Sequence, residues 1–70
     1  MSNIDRTEDS LKLITLIIDN LDDAEVHMKK FQKVSGYNLS DDIERTKNMK
    51  EILEGRKFLI ERIGVNNGKI

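Results

Sequence analysis

Apolar side chains recur at steps of three and four through residues 11–34, a stretch that contains neither proline nor glycine. This spacing is typical of one α-helix. A first apolar stripe, interrupted by Glu25, consists of Leu11, Ile14, Ile18, Leu21 and Met28. A second stripe beside it consists of Leu13, Ile17, Ala24, Phe31 and Val34. With Leu16, the stripes cover roughly 220° of the circumference at about 100° per residue, so we expect this helix to contact more than one partner helix.

The first helix is predicted to begin between residues 3 and 8 and to continue to about residue 35. Within it, the polar segment 19–23 contains poor helix formers, and a new helix starting there would give a three-helix domain. The apolar stripes nevertheless run in phase through Leu21, Ala24 and Met28. Because this periodicity extends well beyond the polar segment, we predict one continuous helix.

Residues 35–40 mark the boundary between two helices. Gly36 follows the last stripe residue, where a C-terminal cap is expected, and Ser40 precedes Asp41 and Asp42 in the pattern of an N-terminal cap. The second helix is predicted to run from about residue 41 to residue 63 and to end at Gly64. A connection of about four to five residues makes adjacent antiparallel helices the expected arrangement.

The second helix carries a narrower apolar arc of roughly 120°. Its members are Ile43, Met49, Ile52, Leu53, Leu59, Ile60 and Ile63. Phe58 falls outside this arc, and residues 65–70 are expected to form a flexible tail. The predicted fold is therefore all-α, with a single helical-hairpin domain over residues 1–64 in which two long helices lie antiparallel.

The small size of the chain predicts self-association. A domain of 70 residues rarely buries enough core to be stable alone. The absence of cysteine excludes disulfides and thiolate zinc sites as further sources of stability. The simplest remaining arrangement is a homodimer that forms a four-helix bundle. The predicted protein interface consists of Leu11, Leu13, Leu16, Ile17 and Phe58.

The sequence also bears on location and on the class of partner. Its first residues do not resemble a secretory signal, and no apolar run approaches the roughly 18 residues of a membrane span. We therefore expect a cytoplasmic protein that makes no membrane contact. The formal net charge of −1 gives no overall attraction to nucleic acid.

A basic cluster is nevertheless expected at the hairpin tip, where the first helix ends and the second begins. Its residues are Lys29, Lys30, Lys33, Arg45, Lys47 and Lys50, with Tyr37 in the connecting turn. Clustered cations can hold phosphates and an aromatic ring can stack on a base, so nucleic-acid binding is one alternative function. The competing interpretation is a solvated, partly self-paired surface, because Asp41, Asp42 and Glu44 lie among these cations.

Candidate catalytic chemistry is sparse. His27, the single histidine, shares a helix face with Asp23. Two carboxylate pairs are expected at similar heights on the two helices: Asp19 with Asp22, and Glu51 with Glu54. One histidine and no cysteine provide few further metal ligands, and charges at this spacing usually form a solvated helix face. We predict no metal, no cofactor and no enzymatic activity.

These observations favour a small non-catalytic helical protein that self-associates and binds another macromolecule. The expected role is regulation or inhibition of a bacterial or phage protein. Nucleic-acid binding through the basic tip is one alternative, and binding of a small molecule or nucleotide at an oligomer seam is another. No motif in the sequence identifies the partner.

Overall fold

The computed structural model describes residues 6–64 and contains two α-helices, α1 (Thr7–Ser35) and α2 (Ser40–Ile63), with no strand in this range. The helices pack against each other as an antiparallel hairpin, which confirms the predicted all-α hairpin. Residues 1–5 and the predicted tail, residues 65–70, lie outside the described residues. Neither α1 nor α2 includes a segment that is both long and apolar enough to cross a membrane.

The first helix continues without a break through residues 19–23. The prediction of a single long helix is therefore confirmed, and the three-helix alternative is wrong. Ile18, before the segment, is buried, and Leu21 within it and Ala24 directly after it are partly buried, so side-chain packing continues across the segment. Packing along one face outweighs the low helix propensity of the intervening aspartates and asparagine.

A four-residue turn, residues 36–39, connects the helices. Gly36 has a left-handed backbone (φ 81°), and its N–H donates to the Gln32 carbonyl at 2.9 Å, as predicted for a C-terminal cap. The predicted cap at Ser40 is wrong, because Ser40 is already helical and its N–H donates to Asn38 Oδ1 at 2.9 Å. The Gln32 side chain accepts a further hydrogen bond from the Leu39 N–H and ties the turn to α1.

The residues of the seam between the helices recur at steps of three and four along both α1 and α2. Its buried residues are Ile14, Ile18 and Ile43. Partly buried apolar residues extend it in both directions: Leu11, Leu21 and Met28 from α1, Leu39 from the connecting turn, and Leu53 and Ile60 from α2. Such spacing lets each helix present a narrow stripe to one neighbour, as in a coiled coil.

A charged layer interrupts this seam near its middle. Lys50 Nζ lies 2.6 Å from Asp22 Oδ1, which joins α2 to α1 directly. Glu25 also lies at the seam, with 15% of its side chain exposed, and binds Lys29 Nζ at 3.0 Å. The Lys50–Asp22 contact fixes the relative height of the helices, so that residues 22 and 50 lie at the same level.

The helix contact uses only part of the apolar arc predicted for α2. Ile43, Leu53 and Ile60 face α1, but four other members of the arc remain more than half exposed: Met49, Ile52, Leu59 and Ile63. One neighbouring helix covers a narrow stripe, and the polar residues Thr46 and Lys50 share that stripe with the three apolar ones. The rest of the arc therefore faces outward.

Candidate interaction surface

The exposed side chains of the hairpin divide into two faces because the helices are antiparallel. A residue one position before a seam residue is rotated by about 100° around its helix. On α1 and α2, which run in opposite directions, this rotation leads to the same side of the hairpin. A residue one position after a seam residue lies on the opposite side. Each face therefore combines a row of residues from both helices.

We call the first side the exposed apolar face. It is formed by Leu13, Ile17, Ala24 and Phe31 of α1 and by Met49, Ile52, Leu59 and Ile63 of α2. Ile17 is the least exposed of the large residues at 46%, and Ile63 is the most exposed at 73%. A patch spread over two long helices exceeds the scattered apolar residues that soluble monomers normally expose.

We call the opposite side the charged face. Its charged residues are Lys12, Asp19, Asp22, Lys29 and Lys33 of α1 and Glu44, Lys47, Glu51, Glu54 and Glu61 of α2. Val26 and Phe58 are exposed apolar residues on this face. Phe58 carries the Arg62 guanidinium over its ring, with the Cζ atom 5.6 Å from the ring centroid.

Electrostatic contacts at the charged layer change two pKa values. The hydrogen bond from Lys29 holds the pKa of Glu25 below its ordinary value; partial desolvation opposes this shift, and the charges of Lys29, Lys47 and Lys50 add to it. The hydrogen bond to Asp22 raises the pKa of Lys50 against partial desolvation, with help from the charges of Asp22, Glu25 and Glu54. Both groups remain charged near neutral pH, so the layer joins the two helices under ordinary conditions.

Three of the six basic residues predicted at the tip form ion pairs within the hairpin. Lys29 pairs with Glu25, Arg45 with Asp42 at 3.6 Å, and Lys50 with Asp22. The other three, Lys30, Lys33 and Lys47, make no ion pair with any residue between positions 6 and 64. The basic tip therefore has a mixed rather than a uniformly positive surface.

Tyr37 does not stand free in the turn. Its ring stacks on Phe31, with centroids 6.0 Å apart and an interplanar angle of 8°. The Tyr37 N–H donates to Ser35 Oγ at 3.1 Å, and that hydroxyl donates to the Phe31 carbonyl at 2.6 Å. One side of the Tyr37 ring is thus occupied by a residue of the exposed apolar face, and the tyrosine extends that face toward the tip.

The structure places two of the five predicted interface residues, Leu13 and Ile17, together on the exposed apolar face. The other three lie elsewhere. Leu11 is partly buried in the helix seam, and Leu16 is exposed on the side of α1 away from α2. Phe58 lies on the charged face, so no single flat surface combines all five.

Sequence reasoning missed the contribution of α2 to the exposed apolar face. The sequence interpretation treated the whole apolar arc of α2 as one surface facing α1. It therefore assigned four further residues to the contact with α1: Met49, Ile52, Leu59 and Ile63. What distinguishes these four residues from the seam residues is their position in the sequence. Each of them directly precedes a position on the side of α2 that faces α1. This difference can be recognised only when the seam residues of both helices are known.

Other candidate chemistry finds little geometric support. No group of three or more histidine, cysteine or carboxylate side chains suited to a metal ion occurs within residues 6–64. An open groove of about 430 Å³ is lined by Leu11, Lys12, Thr15 and Leu16, all from neighbouring turns of one helix. These residues offer few converging polar groups to orient a small ligand.

Comparison with protein-family models, with curated proteins and with solved structures gave no match to this chain. Functional inference therefore depends on the surface chemistry of the hairpin.

Proposed function

We propose that this chain is a non-catalytic interaction protein that self-associates through its exposed apolar face and acts by binding another protein, as a regulator or inhibitor. The observation that carries this proposal is the exposed apolar face itself. It joins large apolar side chains from both helices on one side, while the other side of the hairpin is charged. This segregation is typical of half of a helical bundle.

The free energy expected from burying the exposed apolar face is of the size needed for reversible self-association. Fully burying a large aliphatic side chain contributes about 1.5–3 kcal/mol, so covering a half-exposed one contributes roughly 1 kcal/mol. The seven large residues of the exposed apolar face together supply a gross term that is comparable with the cost of association, about 4–15 kcal/mol. We therefore expect an equilibrium that depends on protein concentration.

Sedimentation equilibrium across the micromolar range tests self-association. The informative variant is Ile17→Lys, which places a charge in the exposed apolar face. Its matched control is Val26→Lys, a change on the charged face of the same helix. The two native residues have similar exposures, 46% and 50%. We expect Ile17→Lys to be monomeric with reduced helix content by circular dichroism, and Val26→Lys to remain a folded oligomer.

Two outcomes would contradict the proposal. A wild-type chain that is well folded and monomeric at high micromolar concentration would exclude self-association. Equal effects of Ile17→Lys and Val26→Lys would show that the exposed apolar face has no special role.

Binding to another protein requires a surface that self-association leaves free. The charged face meets this condition, and it includes exposed Val26 and Phe58 among its charges. We expect an immobilised wild-type protein to enrich a specific partner from lysate of its native cell, as identified by mass spectrometry. A Val26→Lys/Phe58→Glu variant should lose that partner while keeping its oligomeric state. Equal recovery with both proteins would assign partner binding to another surface.

A further inference from the structure

We infer that the occupant of the exposed apolar face is a second copy of the chain, packed antiparallel about a two-fold axis that crosses the face at Met49. This inference rests on the proposed self-association and adds its geometry. In this arrangement α1 packs on α1 of the second copy and α2 packs on α2. The hairpin tips then point in opposite directions.

Charge placement along α2 carries the choice of axis. Four residues spaced seven apart follow the exposed apolar face: Asp42, Met49, Arg56 and Ile63. Arg56 has no ion pair among residues 6–64, and Asp42 has only the long, exposed contact with Arg45. A two-fold axis at Met49 exchanges positions 42 and 56. It therefore places Arg56 of each copy opposite Asp42 of the other.

The pattern on α1 is compatible with the same axis. The Lys50–Asp22 contact puts residue 22 at the level of residues 49 and 50. Leu13 and Phe31 lie nine residues before and after position 22, Ile17 and His27 five, and Asn20 and Ala24 two. The axis thus places Leu13 against Phe31 of the second copy, Ile17 against His27, and Asn20 against the small Ala24.

The extent of this contact suits a stable dimer. The 29 residues of α1 span about 43 Å, and two helices side by side are about 20 Å wide. Complete overlap covers on the order of 800 Å² on each copy, which is the usual area per partner in a specific interface. An axis parallel to the helices would instead place Arg56 beside Leu13 and Ile17, and Asp42 between His27 and Phe31, of the second copy. That alternative leaves Arg56 without an acidic partner.

Single-cysteine cross-linking tests the axis, because the chain has no native cysteine. In Met49→Cys the two thiols would face each other across the axis. In Ile63→Cys they would be about 40 Å apart, since each lies 14 residues from the axis at about 1.5 Å per residue. Under mild oxidation we expect Met49→Cys to form a covalent dimer rapidly and Ile63→Cys to remain reduced. Faster cross-linking of Ile63→Cys would overturn the inference.

Exchanging the charges at positions 42 and 56 tests the proposed pairing of Asp42 with Arg56 between the two copies. We expect Arg56→Glu and Asp42→Arg each to weaken the dimer about tenfold in sedimentation equilibrium, and the double variant to return to within about threefold of wild type. Asp41→Arg is the control, because Asp41 is also an acid in the first turn of α2 but lies off the exposed apolar face. Combined with Arg56→Glu, it should give no recovery.

The outcomes separate the register from self-association itself. A monomeric wild-type chain would remove the proposed function and this inference together. A wild-type dimer without rescue in the double charge variant, or without Met49→Cys cross-linking, would overturn only the antiparallel register.

Discussion

Gly36 and Gly55 are expected to have opposite effects on the stability of this hairpin. Gly36 adopts φ 81° at the end of α1, a conformation that residues with a Cβ atom rarely adopt. Gly55 lies inside α2, and apart from the adjacent helix backbone an added Cβ would meet no atom within 4 Å. The first glycine is required by backbone geometry, whereas the second only lowers helix propensity.

Alanine at these two positions should therefore change stability in opposite directions. We expect Gly36→Ala to destabilise the protein by about 1–2 kcal/mol because alanine is strained in the left-handed region. Gly55→Ala should stabilise it by about 0.5–1 kcal/mol by reducing the freedom of the unfolded chain. Urea unfolding at one fixed protein concentration measures both changes. Two shifts of the same sign would contradict this interpretation.

Glu25 and Lys50 determine how the charged layer responds to pH. Because the pKa of Glu25 is lowered on folding, its contribution to stability is fully present above its unfolded pKa and is lost as pH falls through the lower folded pKa. Because the pKa of Lys50 is raised on folding, its contribution is fully present below its unfolded pKa and is lost as pH rises through the higher folded pKa.

We therefore expect the stability of the hairpin to decline at both extremes of pH. Removing one charge should mainly weaken one side of this dependence. In Glu25→Gln, we expect the acid-side loss to become much smaller and the alkaline loss slightly smaller, because the charge of Glu25 also helps to raise the pKa of Lys50. Lys50→Met should show the reverse, and thermal unfolding between about pH 3 and pH 11 measures both profiles. Identical profiles for wild type and both variants would show that the layer contributes nothing to stability.

At the scale of elements, the local sequence pattern describes α1 more completely than α2. Both helices have nearly the predicted bounds, and α1 crosses its polar segment without a break. The second helix has apolar residues on two sides, one against α1 and one on the exposed apolar face. A single arc on a helical projection therefore corresponds to two different surfaces in the folded hairpin.

The continuity of α1 predicts its hydrogen exchange. Amides of residues 19–23 are within a regular helix, so we expect their protection to match that of residues 14–18 within about tenfold. The connecting turn, residues 36–39, serves as an internal control and should exchange much faster. Exchange in residues 19–23 at the rate of the turn would show that the helix opens locally at its polar segment.

At the scale of the whole molecule, most of the large exposed apolar side chains lie on one face, with Asp42 and Arg56 along its α2 row. The exposed apolar face suits a second copy, while the charged face mixes both signs of charge. Three of the six tip cations are paired with carboxylates, and the whole chain has a net charge of −1. This balance does not favour the accumulation of phosphates.

We accordingly expect no salt-sensitive binding to DNA or RNA at about 50 mM salt, as measured by fluorescence anisotropy. The variant Lys30→Gln/Lys47→Gln removes two unpaired cations and should behave like wild type in this assay. Binding by wild type, with lower affinity and a shallower salt slope in the variant, would instead support the nucleic-acid alternative.

The sequence alone determined the type of element, the approximate helix bounds and the antiparallel connection. These features follow from local periodicity, from Gly36 and from the length of the turn. It also identified Leu13, Leu16, Ile17 and Phe58 as apolar residues that the hairpin leaves exposed, whereas Leu11, assigned to the same interface, is partly buried. These predictions succeeded because each depends on residues that are close together in the chain.

Only the tertiary structure decided which side of α2 enters the seam and which charges pair across it. Leu53 and Leu59 are both apolar residues of one helix, yet only Leu53 faces α1. The difference depends on the rotation of α2 relative to α1, in which Ile43 is buried with Ile14 and Ile18 of α1 and Lys50 reaches Asp22. The sequence pattern of α2 alone cannot determine this rotation, because turning a helix about its own axis changes none of the interactions within that helix.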